Sequence, residues 1–261
     1  MRHSPQALLA LFLAGCAPAP SARPPSLSPP APRAPDRLLY SVERMDPDGE
    51  EETLVRIASE DGTALRDVGG LGHVYAARPT SRGTVLATIC EEDGKPLELC
   101  EFDAGGEVLW QHVWGAGRAG IRHLRAAHAL PDGHILLAGL GARGEDGRFG
   151  GALVLEMDRQ GTEIRRIDLG RVRMLGAVRP LEDGVLVAGE GVFEVGWDGK
   201  RRFALPVFCR DALKLPDGHY VLAEDVRVVE MDSEGNELWA APHVKPVFLQ
   251  LLAGGNLLAG G

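Results

Sequence analysis

The chain has 261 residues, of which 44% are apolar, 5% aromatic and 25% charged, and its formal net charge is −9. The apolar fraction is large enough for one folded core, whereas the acidic balance and the lack of a Lys/Arg cluster argue against a nucleic-acid partner. The 34 glycines are typical of a fold with many tight turns, because glycine adopts positive φ without strain.

Residues 1–15 have the features of a secretory signal peptide. Arg2 gives a positive start, and an apolar run leads into Leu13-Ala-Gly-Cys16. The run is far too short to span a bilayer as a mature helix. Leu-Ala-Gly-Cys resembles the lipobox of bacterial lipoproteins, which implies that residues 1–15 are removed and Cys16 is lipidated. The presence of Ala17 rather than Asp implies an outer-membrane or surface location in the bacterial envelope. An ordinary secretory signal with a chance cysteine is the alternative.

Residues 16–36 are nearly all Pro, Ala, Ser and Arg. Such a segment has too little apolar bulk to fold, and its prolines favour extended polyproline II geometry. We expect a semi-rigid tether that holds the folded part up to about 60 Å from the membrane. Residues 37–261 are expected to form one domain.

Two kinds of β-hairpin alternate over residues 37–261. Turns of the first kind are Ser81-Arg-Gly83, Pro131-Asp-Gly133, Glu182-Asp-Gly184, Pro216-Asp-Gly218 and Ala253-Gly-Gly255. Turns of the second kind reach glycine at Gly62, Gly106, Gly161, Gly199 and Gly235. A two-hairpin unit repeated every ~35–55 residues predicts an all-β fold, a β-propeller of four-stranded antiparallel blades.

Five turns of each kind predict five blades. Residues 247–261 and 53–69 are expected to supply the inner and outer strands of one composite blade, so that N- and C-terminal strands close the ring and remove exposed sheet edges. Residues 38–42 also read as a second strand, however, and compete with residues 255–259 for one position. A fragment of a six- to eight-bladed propeller is therefore the alternative.

The second hairpin carries a family resemblance. Glu101-Phe-Asp-Ala-Gly-Gly-Glu-Val-Leu-Trp110 and Glu230-Met-Asp-Ser-Glu-Gly-Asn-Glu-Leu-Trp239 share the pattern strand, Asp, turn, Gly, strand, Trp. This resembles the repeat of pyrroloquinoline-quinone-type (PQQ-like) propellers. The resemblance implies that Trp110 and Trp239 pack between blades, and that blade packing differs where Arg165 takes the tryptophan position. The same repeat occurs in quinone dehydrogenases and in lipoprotein scaffolds without cofactor, so the resemblance says little about function. Quinone-type enzymes of this class are usually much larger, eight-bladed propellers, and we predict no cofactor here.

Polar residues stand ten and eight positions before the turn glycine of the innermost strands. With strict alternation of side chains, these two positions share one face. We expect that face to ring one mouth of the central channel with basic and hydrogen-bonding side chains, namely His73, Tyr75, His123, Arg125, Arg210 and Lys245. Such a ring would favour a small carboxylate, sulfate or phosphate. The alternative is that these side chains are hydrated or pair with acids such as Asp211.

The cysteines and histidines give weaker signals. Cys90 and Cys100 lie on consecutive predicted strands, so a cross-strand disulfide is feasible in an oxidising envelope, with two half-buried thiols as the alternative. Cys209 reads as a small core residue. His134 and His219 follow equivalent Pro-Asp-Gly turns and are interpreted as turn residues, and no Cys or His spacing predicts a metal site.

The sequence favours a membrane-anchored binding scaffold, with the membrane as partner through the lipid anchor and other envelope proteins through the propeller. A sensor or carrier of a small anion is the second hypothesis. A propeller enzyme, quinone-dependent or sulfotransferase-like, is the third, with His73 and His123 as the nucleophile candidates. We assign no catalytic residue.

Overall fold

The computed structural model describes residues 37–45, 51–59, 64–68, 74–89, 97–103, 105–114, 120–121, 123–141, 150–172, 174–243, 245–251 and 255–260. The predicted signal peptide, tether and lipidated Cys16 lie outside these ranges, as do His73 and Cys90. The described elements are all β-strands. Among the described residues, no helix has the length and apolar character needed to cross a membrane.

The strands form six antiparallel sheets in chain order. The first sheet contains β1 (Arg37–Met45), β2 (Glu51–Ser59) and β3 (Ala64–Val68). Blade I contains β4 (Val74–Pro79), β5 (Val85–Ile89), β6 (Leu97–Phe102) and β7 (Val108–Trp114). Blade II contains β8 (His123–Ala129), β9 (Ile135–Leu140), β10 (Ala152–Met157) and β11 (Glu163–Gly170).

The chain continues in the same order. Blade III contains β12 (Leu175–Leu181), β13 (Gly184–Gly189), β14 (Val192–Gly196) and β15 (Arg201–Leu205). Blade IV contains β16 (Asp211–Lys214), β17 (Tyr220–Ala223), β18 (Arg227–Met231) and β19 (Glu237–Pro242). The last sheet contains β20 (Phe248–Leu251) and β21 (Leu257–Gly260). Four successive four-stranded antiparallel sheets confirm the predicted all-β propeller architecture.

The turns form for the local reasons that the sequence indicates. In the Pro-Asp-Gly turn of blade II, the Leu130 amide donates to the His134 carbonyl at 2.8 Å, and Gly133 has a φ of 93°. In the Asp-to-Gly turn of the same blade, Asp158 Oδ1 accepts hydrogen bonds from the amides of Gln160 and Thr162 at 2.9 and 2.8 Å. Each turn thus combines an aspartate that accepts from nearby amides with a glycine in the left-handed region.

The core consists of layers between neighbouring blades. The second strand of each complete blade, for example β9 or β13, is buried along its whole length, because both of its faces pack against other blades. The outermost strands β11 and β19 are mostly exposed. One buried cluster joins blades I and II, another joins II and III, and a third joins III and IV. A single blade therefore has no core of its own.

The tryptophan position is used differently from blade to blade. Trp110 of blade I donates from Nε1 to the Arg159 carbonyl of blade II at 3.1 Å, and the Arg159 guanidinium lies 4.8 Å above the Trp110 ring. Arg165 of blade II packs its guanidinium 4.4 Å above the Trp197 ring of blade III. Trp239 of blade IV is 39% exposed. The inter-blade role predicted from the repeat therefore fits Trp110 and is less complete at Trp239.

Among the described strands, those near the two ends do not pair into the composite blade that we predict from residues 247–261 and 53–69. β2 pairs with β1 along nine positions, from Arg37 opposite Ser59 to Met45 opposite Glu51. The strand at residues 38–42 therefore takes the position beside β2, and among the described strands β21 pairs with β20 alone. The outcome is a three-stranded sheet at one end of the series of blades and a two-stranded sheet at the other.

Candidate functional site

The innermost strands β4, β8, β12, β16 and β20 pack against one another in that order around a central axis. In blades I to III the pairing with the second strand skips one residue, so that Tyr75, Arg125 and Gly176 are bulged. In blade IV, Asp211 lies opposite Ala223 in the strand register. The amide of the preceding residue, Arg210, donates to the Ala223 carbonyl at 2.8 Å. The bulged position is always eight residues before the turn glycine, because each strand repeats one sequence unit.

This bulge changes which residues share a face. In blade II, His123, Ala126 and His128 lie opposite Leu140, Ala138 and Leu136, which alternate regularly along β9. His123, ten residues before the turn glycine, therefore shares its face with residues seven and five before it. The residue eight before the glycine does not belong to this series, because it is the extra residue of the bulge. The strict alternation assumed for the predicted channel mouth is thus wrong at this point.

The face defined in this way brings together four side chains, one from the inner strand of each complete blade. We call Arg78 (β4), His128 (β8), Arg179 (β12) and Asp211 (β16) the axial cluster. Arg78, His128 and Arg179 stand five residues before their turn glycines, and Asp211 stands seven before its own. Side chains from four different blades meet here because the inner strands converge on the axis.

Asp211 is the centre of the axial cluster and is fully buried. Arg179 binds it through two parallel hydrogen bonds, from Nε to Oδ1 at 3.0 Å and from Nη2 to Oδ2 at 2.5 Å. The amides of Ala212 and Leu249 donate to the same carboxylate, each at 2.8 Å. Arg78 approaches Oδ2 to 4.0 Å. A bidentate arginine and two amides satisfy this buried carboxylate.

The electrostatics of the axial cluster leave a positive excess. Burial alone would raise the pKa of Asp211, but Arg179, Arg78 and the hydrogen bonds hold it below its usual value, so the group is an anion. Burial, with repulsion from Arg179, lowers the pKa of Arg78 to about 10, which still leaves it protonated at neutral pH. Burial, with repulsion from Arg78 and Arg179, lowers the pKa of His128 to about 3. Two guanidinium cations therefore share one carboxylate beside a neutral imidazole.

His128 and Arg78 have different surroundings within the axial cluster. His128 Nε2 lies 2.6 Å from the carbonyl of Val178, and a neutral ring protonated at this nitrogen would donate to it. The side chain of Arg78 is 24% exposed although it lies among the inner strands. At 4.0 Å its contact with Asp211 is too long for a hydrogen bond. The cluster thus contains a partly exposed cation, Arg78, next to the hydrogen-bonded ion pair of Arg179 and Asp211.

The residues predicted to ring the channel mouth are only partly placed together. His123 is exposed at the start of β8, and Arg125 is half-buried at the bulge. Arg210 pairs with the exposed Asp225, with Nη2 to Oδ1 at 2.9 Å. The exposed Lys245 donates its amide to the Asp225 carbonyl at 3.0 Å. His73 lies outside the described residues and only the backbone of Tyr75 is described, so the basic ring as a whole stays a prediction.

The thiols of the described cysteines are buried. Burial raises the pKa of Cys100 to about 11 and that of Cys209 to about 12, so neither is a nucleophile at neutral pH. Cys100 is free and lies opposite Ala87, and the predicted disulfide stays a prediction. Its predicted partner Cys90 lies outside the described residues. Cys209, with no exposed surface, is the core residue that the sequence indicates.

Sequence reasoning missed the axial cluster although the residues carried a signal for it. Counting from the turn glycine places Arg78, His128 and Arg179 at one repeat position, five residues before it. Strict alternation puts His123 and His128 on opposite faces of the strand, whereas the bulge puts them on one face. A second signal was available in Gly139 and Gly189, which lie opposite the residues before the bulge and where a side chain would collide with the backbone.

No protein-family model matches the chain, and no curated protein sequence matches it. Among solved structures, it is similar to a protein of unknown function from Bacteroides caccae, with 16% identity, a TM-score of 0.60, and coverage of 87% of this chain and 82% of that one. It is also similar to a gluconolactonase from Xanthomonas campestris, with 15% identity, a TM-score of 0.53, and coverage of 82% of each chain. At this level of identity the likeness concerns the fold, and the chain is an all-β propeller.

Proposed function

We propose that this protein is a lipid-anchored β-propeller of the bacterial envelope that binds a small carboxylate or similar oxyanion at its central axis. The lipobox-like sequence ending at Cys16 and the tether of residues 16–36 support the anchor. The axial cluster supports the ligand, since arginine side chains are suited to planar oxyanions. The binding scaffold predicted from the sequence is thereby given a site and a class of ligand.

One observation carries the binding proposal, namely that Arg78 and Arg179 share the single carboxylate of Asp211. Asp211 already accepts a bidentate interaction from Arg179, whereas Arg78 stands 4.0 Å away with an accessible side chain. A second carboxylate beside Arg78 would balance the remaining positive charge. It would be held in a partly buried place, where a charge-assisted hydrogen bond is stronger than in water.

The residues around the site favour a small ligand. The positions seven residues before the turn glycine are alanine in blades II and III, where Ala126 and Ala177 are both buried. These alanines pack in the apolar layers between blades and add no hydrogen-bonding groups to the axial cluster. His128 is neutral and would add a weak polar contact instead of a third cation. We therefore expect a compact anion with one or two charges.

Calorimetric titration of the full chain with acetate, succinate, sulfate and phosphate tests the proposal. We expect at least one of these anions to bind and Arg78→Ala to abolish the heat, because this variant removes the partly exposed arginine side chain. Arg78→Lys should bind more weakly, because it retains the charge but not the two-pronged geometry.

Arg202→Ala is the matched control, because Arg202 lies on the outer strand β15 and forms an exposed pair with Asp183. It should bind as the native chain does. A loss of binding in Arg210→Ala with binding retained in Arg78→Ala would instead locate the anion at the predicted channel mouth. No binding of any of the four anions would contradict the proposal.

A further inference from the structure

Among the described residues, two equivalent clusters of metal-ligating groups form at the Pro-Asp-Gly-His turns of blades II and IV. In blade II the cluster consists of Asp132, His134 and Glu156. In blade IV the cluster, which we call the rim site, consists of Asp217, His219 and Glu230. In each cluster, one ligand atom from each of the three groups lies within 4.8 Å of the other two.

The sequence repeat builds both clusters in the same way. The aspartate and histidine come from a Pro-Asp-Gly-His turn between the first and second strands, and the glutamate comes from the neighbouring third strand. In the rim site, Asp217 Oδ1 accepts the His219 amide at 3.1 Å. This bond fixes the carboxylate so that Oδ2 lies 3.5 Å from His219 Nδ1. Glu230 Oε1 lies 3.0 Å from the same nitrogen.

The two clusters differ in one residue. In blade II, Arg165 lies 2.6 Å from the second oxygen of the buried Glu156 and so supplies a positive charge. The equivalent of Arg165 in blade IV is Trp239, which is uncharged. Among the described residues, the ion pairs of Asp217 and Glu230 are with His219 alone. The rim site therefore has two carboxylates and no arginine.

We propose that the rim site binds a divalent transition-metal cation such as Zn²⁺ through His219 Nδ1, Asp217 Oδ2 and Glu230 Oε1. Metal bonds of 2.0–2.2 Å in tetrahedral geometry place ligand atoms about 3.4 Å apart. The separations of 3.0 and 3.5 Å in the rim site are close to this value. One imidazole with two carboxylates is a donor set that zinc accepts.

The site would be open and exchangeable. The three side chains are partly exposed, from 28% at Glu230 to 59% at Asp217, so water can occupy a fourth position. Binding of the cation would replace the proton that His219 Nδ1 shares with Glu230 in the metal-free protein. The blade II cluster is not expected to bind, because the positive charge of Arg165, 2.6 Å from one oxygen of Glu156, repels a dication.

The test is a calorimetric titration of the chelator-treated full chain with Zn²⁺. We expect the native chain to bind one more equivalent than His219→Ala and Glu230→Gln do. His134→Ala is the matched control from the blade II cluster and should bind as many equivalents as the native chain. Arg165→Ala should gain one equivalent, because it gives the blade II cluster the charge of the rim site.

Co²⁺ provides a second measurement, since tetrahedral coordination would give intense visible absorption that His219→Ala lacks. The melting temperature of each variant in chelator establishes that the fold is retained. Equal stoichiometry in the native chain and in His219→Ala would overturn the proposal, as would the absence of Zn²⁺ binding by the native chain. Neither result depends on anion binding at the axial cluster.

Discussion

At the scale of single residues, Asp211 is the group on which most of the axial cluster depends. Its carboxylate accepts hydrogen bonds from Arg179 on β12, from its own neighbour Ala212, and from Leu249 on β20. Arg179 Nη2 also donates to the Leu249 carbonyl at 2.5 Å. One side chain thus connects blade III, blade IV and the last sheet. Without it, two guanidinium groups would share a partly buried region with no counterion.

We expect Asp211→Ala to lower the free energy of unfolding by about 3–5 kcal/mol, because removing one partner of a buried pair leaves the other charge uncompensated. Urea denaturation followed by circular dichroism measures the change. Asp225→Ala is the matched control, since Asp225 forms an exposed pair with Arg210 and should cost less than about 1 kcal/mol. If both variants lose a similar free energy of unfolding, Asp211 contributes no more to stability than an exposed ion pair does.

At the scale of elements, the inner strand and its bulge decide which residues meet. The hairpins and their turn glycines could be predicted from the sequence, because aspartate and glycine act locally at Pro131-Asp-Gly133 and Pro216-Asp-Gly218. The bulge could not be predicted from alternation, since Arg125 is polar and fits either face. The grouping of Arg78 with Asp211 depends on contacts between distant blades, which alternation within one strand does not reveal. The sequence therefore predicted a site at the channel mouth and not the axial cluster.

The bulge places a specific demand on the second strand. Gly189 lies opposite Leu175, directly before the bulged Gly176, and a Cβ at Gly189 would lie 2.3 Å from the Met174 carbonyl oxygen. Gly139 in blade II meets the His123 carbonyl oxygen in the same way, at 2.4 Å. The collision is with backbone atoms, so a change of side-chain rotamer cannot relieve it.

We expect Gly189→Ala to lower the free energy of unfolding by about 1–3 kcal/mol, the range found for overpacking in a close-packed interior. Urea denaturation again measures it. Gly191→Ala is the control in the same blade, because the nearest atom to its Cβ would be the Leu205 carbonyl oxygen at 3.2 Å, which needs only a small adjustment. If both variants lose the same stability, the bulge is not what requires glycine at residue 189.

At the scale of the whole molecule, the propeller is a series of layers, each shared by two neighbouring blades. Val185 and Leu136 belong to one such layer and Leu222 and Leu186 to the next, so blade III is buried on both sides. The sequence repeat predicts this arrangement well, since every blade carries the same apolar strands. The pairing at the two ends of the series is not predictable in this way. Residues 38–42 and residues 255–259 both have the sequence of a second strand, and the pattern alone does not decide which of them takes that position.

The proposed attachment to a membrane is also a property of the whole chain. We expect Cys16→Ser to move the protein from the membrane fraction to the soluble fraction of a bacterial host, because several acyl chains on one residue hold a protein far more firmly than one chain does. Immunoblotting of the separated fractions is the measurement. Cys90→Ser should stay with the membrane, and a membrane-bound Cys16→Ser variant would count against the lipobox interpretation.

The contact between Arg78 and Asp211 has a consequence for the passage of solutes along the central axis. In the packing order of the inner strands, β8 and β12 lie between β4 and β16, so this contact joins strands that are not neighbours. Together with Arg179, it forms a bridge of charged side chains between the inner strands. We expect a solute that enters at the His123 end to stop at this bridge, so that the channel is closed at one end instead of open at both.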